Sequence, residues 1–164
     1  MLLLFDFSKA FGLVCHTFLL TKFRKLGFSL AAICWIASYL ASRSQAVFDG
    51  SESPSSFCPL NKGLPQGSVL GPLLFLLYIN DVCDALPPGV SHLTYADDLQ
   101  VYFSFIPGNL YESKTRMSRV ADGVAAWADE NRRRVSVKKT KAAIFGSQAF
   151  VNSAYASADL FVTL

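Results

Sequence analysis

Three carboxylates carry the strongest chemical signal in this sequence. Asp97 and Asp98 are adjacent, between Leu93, Tyr95 and Ala96 on one side and Leu99, Val101, Tyr102 and Phe103 on the other. That setting is too apolar for an ordinary solvated loop. On a regular strand neighbouring side chains point to opposite faces, whereas at a hairpin tip both can reach one site. Two carboxylates held close together repel each other unless a cation or a proton lies between them. Asp6 is a second case, a single acid at the end of the apolar run LLLFDF. Brought beside the hairpin, it completes a cluster from two chain segments. Such a cluster suits two divalent ions about 3.5–4 Å apart, one activating an attacking hydroxyl and one stabilising a leaving pyrophosphate. Mg²⁺ favours this design because it takes few carboxylates together with substrate phosphates, and Mn²⁺ can substitute. Without context, an Asp–Asp pair is more often simply a turn.

The elements that must position these acids can be read from periodicity. LLLFDF has the continuous apolar character of a buried strand. Phe18, Leu19, Phe23 and Leu26 recur at helical spacing, and Gly27 is placed to stop that helix. Ser29 can cap a second helix that runs to about Leu40. Gln45 to Phe48 reads as a strand, and Gly50 to Pro59, rich in Ser and Pro, as a loop. In GLPQGSVLGPLLFLLYIND, Ser68 can cap a helix, with Pro72 in its first turn where a missing N–H costs least. Leu86 to Gly89 is a turn, and HLTYADDLQVYFSF is a hairpin around the paired acids. Met117, Val120, Val124 and Trp127 form a helical stripe, and Val135 to Phe145 returns to a strand-like pattern. The stretch from Phe150 to Leu164 gives no strong signal. Without regular β-α-β alternation, the pattern predicts an α+β fold, an antiparallel sheet with helices packed on one face.

The remaining composition excludes more than it assigns. The chain has 164 residues, 52% hydrophobic and 16% charged, with a mean hydropathy of +0.34. That rules out a disordered, charge-rich chain. Its apolar runs, Leu26 to Ala41 and Val69 to Ile79, fall short of the ~20 residues that span a bilayer. The N-terminal run lacks a basic region and is interrupted by Asp6 and Lys9, so it does not read as a signal peptide. Cys15, Cys34, Cys58 and Cys83 have no zinc or redox spacing, which favours a reduced, intracellular setting in cytoplasm or nucleus. The net charge of +3 is weak, but Arg132, Arg133, Arg134, Lys138, Lys139 and Lys141 concentrate positive charge. Such a run is commonly a solvated face; it also suits salt-sensitive contact with phosphates.

Four motifs in order, FDFSKAF (5–11), GLPQGSVLGPLLFLLYIND (63–81), TYADD (94–98) and W-x3-N with KKT and FG (127–146), resemble the palm of reverse transcriptases, especially those of jockey-like or LINE-type non-LTR retrotransposons. The resemblance implies a palm domain over residues 1–147 and a C-terminal remnant over 148–164. It implies an RNA-directed DNA polymerase activity with Asp6, Asp97 and Asp98 as catalytic metal ligands. Phe11 matches the aromatic residue under the nucleotide sugar. Gln66 matches a glutamine near the incoming nucleotide and template, with Pro65 and Gly67 shaping its loop. Tyr95 matches the tyrosine close to the primer end, and Lys139 a basic residue near the triphosphate. Arg132 and Lys138 belong to a template–primer surface. The implied partners are an RNA template, a DNA primer and a deoxynucleoside triphosphate, without a membrane.

Two positions depart from the family pattern. Gly12 stands where a second Asp is usual, and Arg133 occupies an apolar packing position, where burial of an unpaired charge would be costly. Met1 lies almost on the first catalytic strand, so a truncated palm without fingers, thumb or endonuclease is expected. From that follow two readings. One is a polymerase palm, inactive alone; the other is a non-catalytic retroelement relic that at most binds nucleic acid or a partner.

Overall fold

The computed structural model describes residues 1–50 and 53–156. The chain divides into two compact units, Phe11–Ile79 and the combination of Met1–Ala10 with Asn80–Leu164.

The second of these is built on an antiparallel sheet. Its strands are β1 (Leu2–Asp6), β4 (Ser91–Tyr95), β5 (Asp98–Tyr102) and β6 (Lys141–Ala143), in the spatial order β4-β5-β1-β6. Alternation along each strand decides the two faces. Leu3 and Phe5 of β1 and Leu99 and Val101 of β5 are buried, while Asp6, Asp98 and Tyr102 project from the other side. Helix α4 (Leu110–Glu130) contributes the predicted stripe, with Met117, Val120, Val124 and Trp127 all buried. A glycine inside a helix costs about 1 kcal/mol relative to alanine. Gly123 is nevertheless required, because a Cβ there would lie 2.5 Å from the carbonyl oxygen of Ala85. Helix α5 (Gln148–Ala156) follows β6, and Phe150 meets Phe105 edge-on at 5.9 Å.

The first unit holds α1 (His16–Lys25), α2 (Leu30–Leu40) and α3 (Leu70–Ile79), with a short ribbon of β2 (Ser44–Gln45) and β3 (Cys58–Pro59). Leu19 and Phe23 of α1, Ile33, Ile36 and Leu40 of α2, and Leu74, Phe75 and Tyr78 of α3 supply its core. Ser29 accepts a hydrogen bond from the Ala32 N–H at 3.3 Å, and Ser68 accepts one from Gly71 at 3.1 Å, so both predicted caps form. Lys22 is buried because its Nζ donates to the Tyr78 carbonyl at 2.6 Å, at the C-terminal end of α3. Cations are favoured there by the exposed carbonyl dipoles.

Three local expectations are corrected. The strand expected over Gln45 to Phe48 stops at Gln45, because Val47 is drawn into contacts with Ser55 instead of a ladder. The expected loop to Pro59 accordingly ends in β3. Within Val135 to Phe145, only Lys141–Ala143 is strand. Val135 makes an isolated bridge to Phe7, and the Ser136 carbonyl then collects the N–H groups of Lys139 and Thr140 and the Thr140 hydroxyl. Such local bonding competes with ladder formation. Finally, α5 appears where the sequence gives no strong signal; Ser147 offers its carbonyl to Val151 and its hydroxyl to the Phe150 N–H. The remainder of the expected C-terminal segment, beyond 156, lies outside the described residues.

No helix among the described residues is long and apolar enough to cross a membrane.

Candidate active site

The three acids occupy two adjacent strands and the loop between β4 and β5. Asp6 closes β1, Asp98 opens β5, and the two are direct cross-strand partners. Partners in an antiparallel pair share a face, with Cβ atoms about 4.5–5.5 Å apart. This face is the open one. Asp97 sits in the two-residue loop with Ala96, whose φ of +51° is a conformation that residues with a side chain rarely adopt. The hairpin is therefore as predicted, but its tip carries Ala96 and Asp97; Asp98 already belongs to the strand. Among the described residues, no group of three or more His, Cys, Asp or Glu side chains gathers tightly enough to hold an ion. The geometry brings together the Asp6–Asp98 pair and leaves Asp97 one residue away.

Tyr95 pairs with Asp98 across the hairpin and is 79% exposed, so its ring lies on the same open face beside the acids. Lys139 reaches the pair from another direction, with Nζ 3.4 Å from Asp6 Oδ2. Its loop is fastened to β1, since the Ser136 N–H donates to the Asp6 carbonyl at 2.8 Å. Arg132, Arg134, Lys138 and Lys141 are exposed. Arg133 leaves the basic patch altogether: it is 1% exposed, and its guanidinium donates to the Ala10 carbonyl. The arginine at this apolar position is thus turned inward, with one guanidinium N–H bonded to a main-chain carbonyl.

The remaining candidates belong to the helical unit. Phe11 stacks on Phe75 with ring centroids 4.6 Å apart. Pro65 accepts from the Ser68 hydroxyl at 2.7 Å, Gln66 is exposed, and Gly67 takes a φ of +78°, a turn conformation natural to glycine. Gly12 has room, as a Cβ there would meet nothing within 4 Å. The missing second Asp is therefore not excluded by crowding.

One pairing carries no signal in the sequence. His16, the histidine that neighbours Cys15, binds the Gly63 carbonyl at 2.7 Å, while the Cys–His contact that forms is between Cys83 and His92, with Sγ 2.9 Å from Nε2. They are nine residues apart across a turn, and nothing local in the sequence links them. Burial first, then the neighbouring Asp84 and Asp81, raise the Cys83 thiol above its ordinary value of 9.0. Folding therefore disfavours its thiolate. The corresponding stability is intact at neutral pH and declines as pH rises from 9.0 towards the higher folded value. In alkylation at about pH 7.5 followed by peptide mapping, exposed Cys34 and Cys58 should react first and Cys83 slowly. Rapid labelling of Cys83 would show that its environment is misjudged.

Comparison with known proteins identifies the family. The family described as reverse transcriptase (RNA-dependent DNA polymerase) matches residues 1–154. The RNA-directed DNA polymerase from mobile element jockey of Drosophila melanogaster is 29% identical over 150 residues, covering 87% of this chain and 16% of that protein. The probable RNA-directed DNA polymerase from transposon BS of the same organism is 32% identical over 145 residues, covering 82% of this chain and 15% of its own length. This chain thus spans about one-sixth of the curated relatives it matches. With the motif order, the hairpin acids and a match over nearly its whole length, the chain belongs to the reverse transcriptase family and is similar to the jockey-like polymerases of non-LTR elements.

Proposed function

We propose that the chain is the palm portion of an RNA-directed DNA polymerase, which extends a DNA primer on an RNA template with deoxynucleoside triphosphates. The observation that carries this reading is the Asp6–Asp98 cross-strand pair on an open sheet face, with Asp97 in the adjoining loop. A pair of carboxylates on an accessible face fits Mg²⁺ or Mn²⁺, which complete their shells with water and phosphate oxygens. Asp6 and Asp98 would hold such ions, joined by Asp97. Divalent metal bound there supplies a Lewis acid for phosphoryl oxygens and lowers the pKa of the attacking hydroxyl.

The other residues orient the substrates. Tyr95 offers an exposed ring beside Asp98 against which the primer end can rest. Lys139 brings a cation toward the triphosphate, and exposed Arg132 and Lys138 contact backbone phosphates in a salt-sensitive manner. Phe11 packs under the nucleotide sugar. Gln66, in the loop shaped by Pro65 and Gly67, hydrogen-bonds nucleotide or template without adding charge. An intracellular site of action accords with these substrates.

The test is primer extension on an RNA template, with the protein compared to Asp97→Ala. Incorporation by the first and none by the second is expected if the chain is catalytic by itself. Equal signal from both removes the activity. The second reading, a non-catalytic relic, is favoured by the two departures from the family pattern, Gly12 and the buried Arg133. Salt-dependent primer–template binding without incorporation supports it.

A further inference from the structure

We infer that Lys139 is a tethered counter-ion of the aspartate pair, which occupies the pair's field until a divalent cation displaces it. This rests on the reading that Asp6 and Asp98 hold such a cation. Asp6 and Asp98 are forced opposite each other by the register of β1 and β5. Like charges at directly opposed positions destabilise a strand pair. Among the described residues, the cation in contact with the pair is Lys139, 3.4 Å from Asp6 Oδ2. Its position follows from the backbone. Beyond Asp6, Phe7 bridges Val135, Ser136 donates to the Asp6 carbonyl, and the Ser136 carbonyl binds the N–H of Lys139 at 3.0 Å. The lysine is thereby hung from the main chain of the residue whose side chain it neutralises. Lys141, also basic, is registered to Leu4 instead, two residues farther along β1.

The contact is also suited to being temporary. Lys139 is 69% exposed, against 24% for Asp6, so the ammonium can swing into solvent while the carboxylate stays. An exposed ion pair of this kind shifts an equilibrium by no more than about fivefold. That is strong enough to quiet the repulsion and weak enough for a doubly charged ion to overcome. Released from Asp6, the same side chain becomes available to a substrate phosphate, so cation entry and lysine release are linked.

Mn²⁺ titration followed by the electron paramagnetic resonance of the free ion tests this without any turnover. Lys139→Met should bind Mn²⁺ about two- to fivefold more tightly than the unaltered protein, and Lys139→Arg should match the unaltered protein. Arg119→Met removes the same charge from an exposed position on α4 and controls for the general field. Equal tightening by Arg119→Met and Lys139→Met overturns the tether, as does no tightening by Lys139→Met. A second measurement needs no metal: a double-mutant cycle on urea unfolding between Lys139→Met and Asp6→Asn. Coupling of up to about fivefold in the unfolding constant is expected, and additive effects overturn the inference. If the unaltered protein binds no Mn²⁺ yet the cycle shows coupling, the tether stands and the metal-site reading falls instead.

Discussion

Asp98→Asn is expected to move stability and activity in opposite directions. Asparagine keeps the shape and one acceptor oxygen but removes the charge facing Asp6 across β1 and β5. Relief of a like-charge cross-strand pair should raise metal-free stability by about 0.2–1 kcal/mol. The proposed incorporation reaction should fall much further. A carboxylate that anchors a metal ion supports several kcal/mol of transition-state stabilisation. At about 1.36 kcal/mol per decade, losing even part of it means a hundredfold or more. Asp6→Asn should show the same loss of incorporation with a smaller stability gain, because it also deprives Lys139 of its contact. Urea midpoints and single-nucleotide incorporation, measured on the same preparations, check both halves. A destabilised Asp98→Asn protein would mean the pair is already neutralised by more than Lys139; undiminished incorporation would remove Asp98 from the site.

Residue types alone leave the paired acids readable as a turn, and Asp98 is in fact exposed, with Leu93 and Tyr95 beside it also open. The order of the four motifs, not the local setting, is what singles the acids out. The strong periodic elements are equally readable: the α4 stripe is buried where its spacing places it, and Ser29 and Ser68 cap the helices they precede. Sequence reasoning fails where pairing depends on distant chain. Whether residues 135–145 extend as a strand is decided by what β1 offers alongside, and only Lys141–Ala143 finds ladder partners. Arg133 carries two conflicting signals in the sequence, membership of a run of six cations and an apolar packing position of the family pattern. The structure follows the second: Arg132 takes a φ of +52° and the Arg133 side chain turns inward to Ala10. The apolar excess has a partial account as well. Leu30 and Trp35 of α2 are 70% and 60% exposed, so composition overstates the core of this unit.

Trp127→Ala is expected to be the most destabilising single change in the sheet unit. The indole is 6% exposed and meets Phe7 edge-on at 5.7 Å. Its Nε1–H donates to Asp81 Oδ1 at 2.9 Å, and its carbonyl receives both the backbone and side-chain N–H of Asn131, which ends α4. The backbone contacts survive substitution, but the ring and its hydrogen bond do not. Truncating a buried large aromatic residue to alanine costs about 3–5 kcal/mol. Domains of this size have about 5–15 kcal/mol in total, so the variant should unfold at a much lower urea concentration or be partly unfolded without it. Trp127→Phe separates the two contributions. It retains most of the packing against Phe7 and forfeits the bond to a carboxylate, worth about 1.5–3 kcal/mol. The consequence reaches the acids through the chain itself. Phe7 follows Asp6 directly, and Ser8 donates to the Arg134 carbonyl at 2.9 Å, so Trp127 braces the segment that carries both Asp6 and the approach to Lys139. Hydrogen exchange should therefore report faster opening of the Ser8 and Ser136 amides in Trp127→Ala than in Trp127→Phe. Identical protection in the two variants would show that the sheet edge holds these residues without the indole.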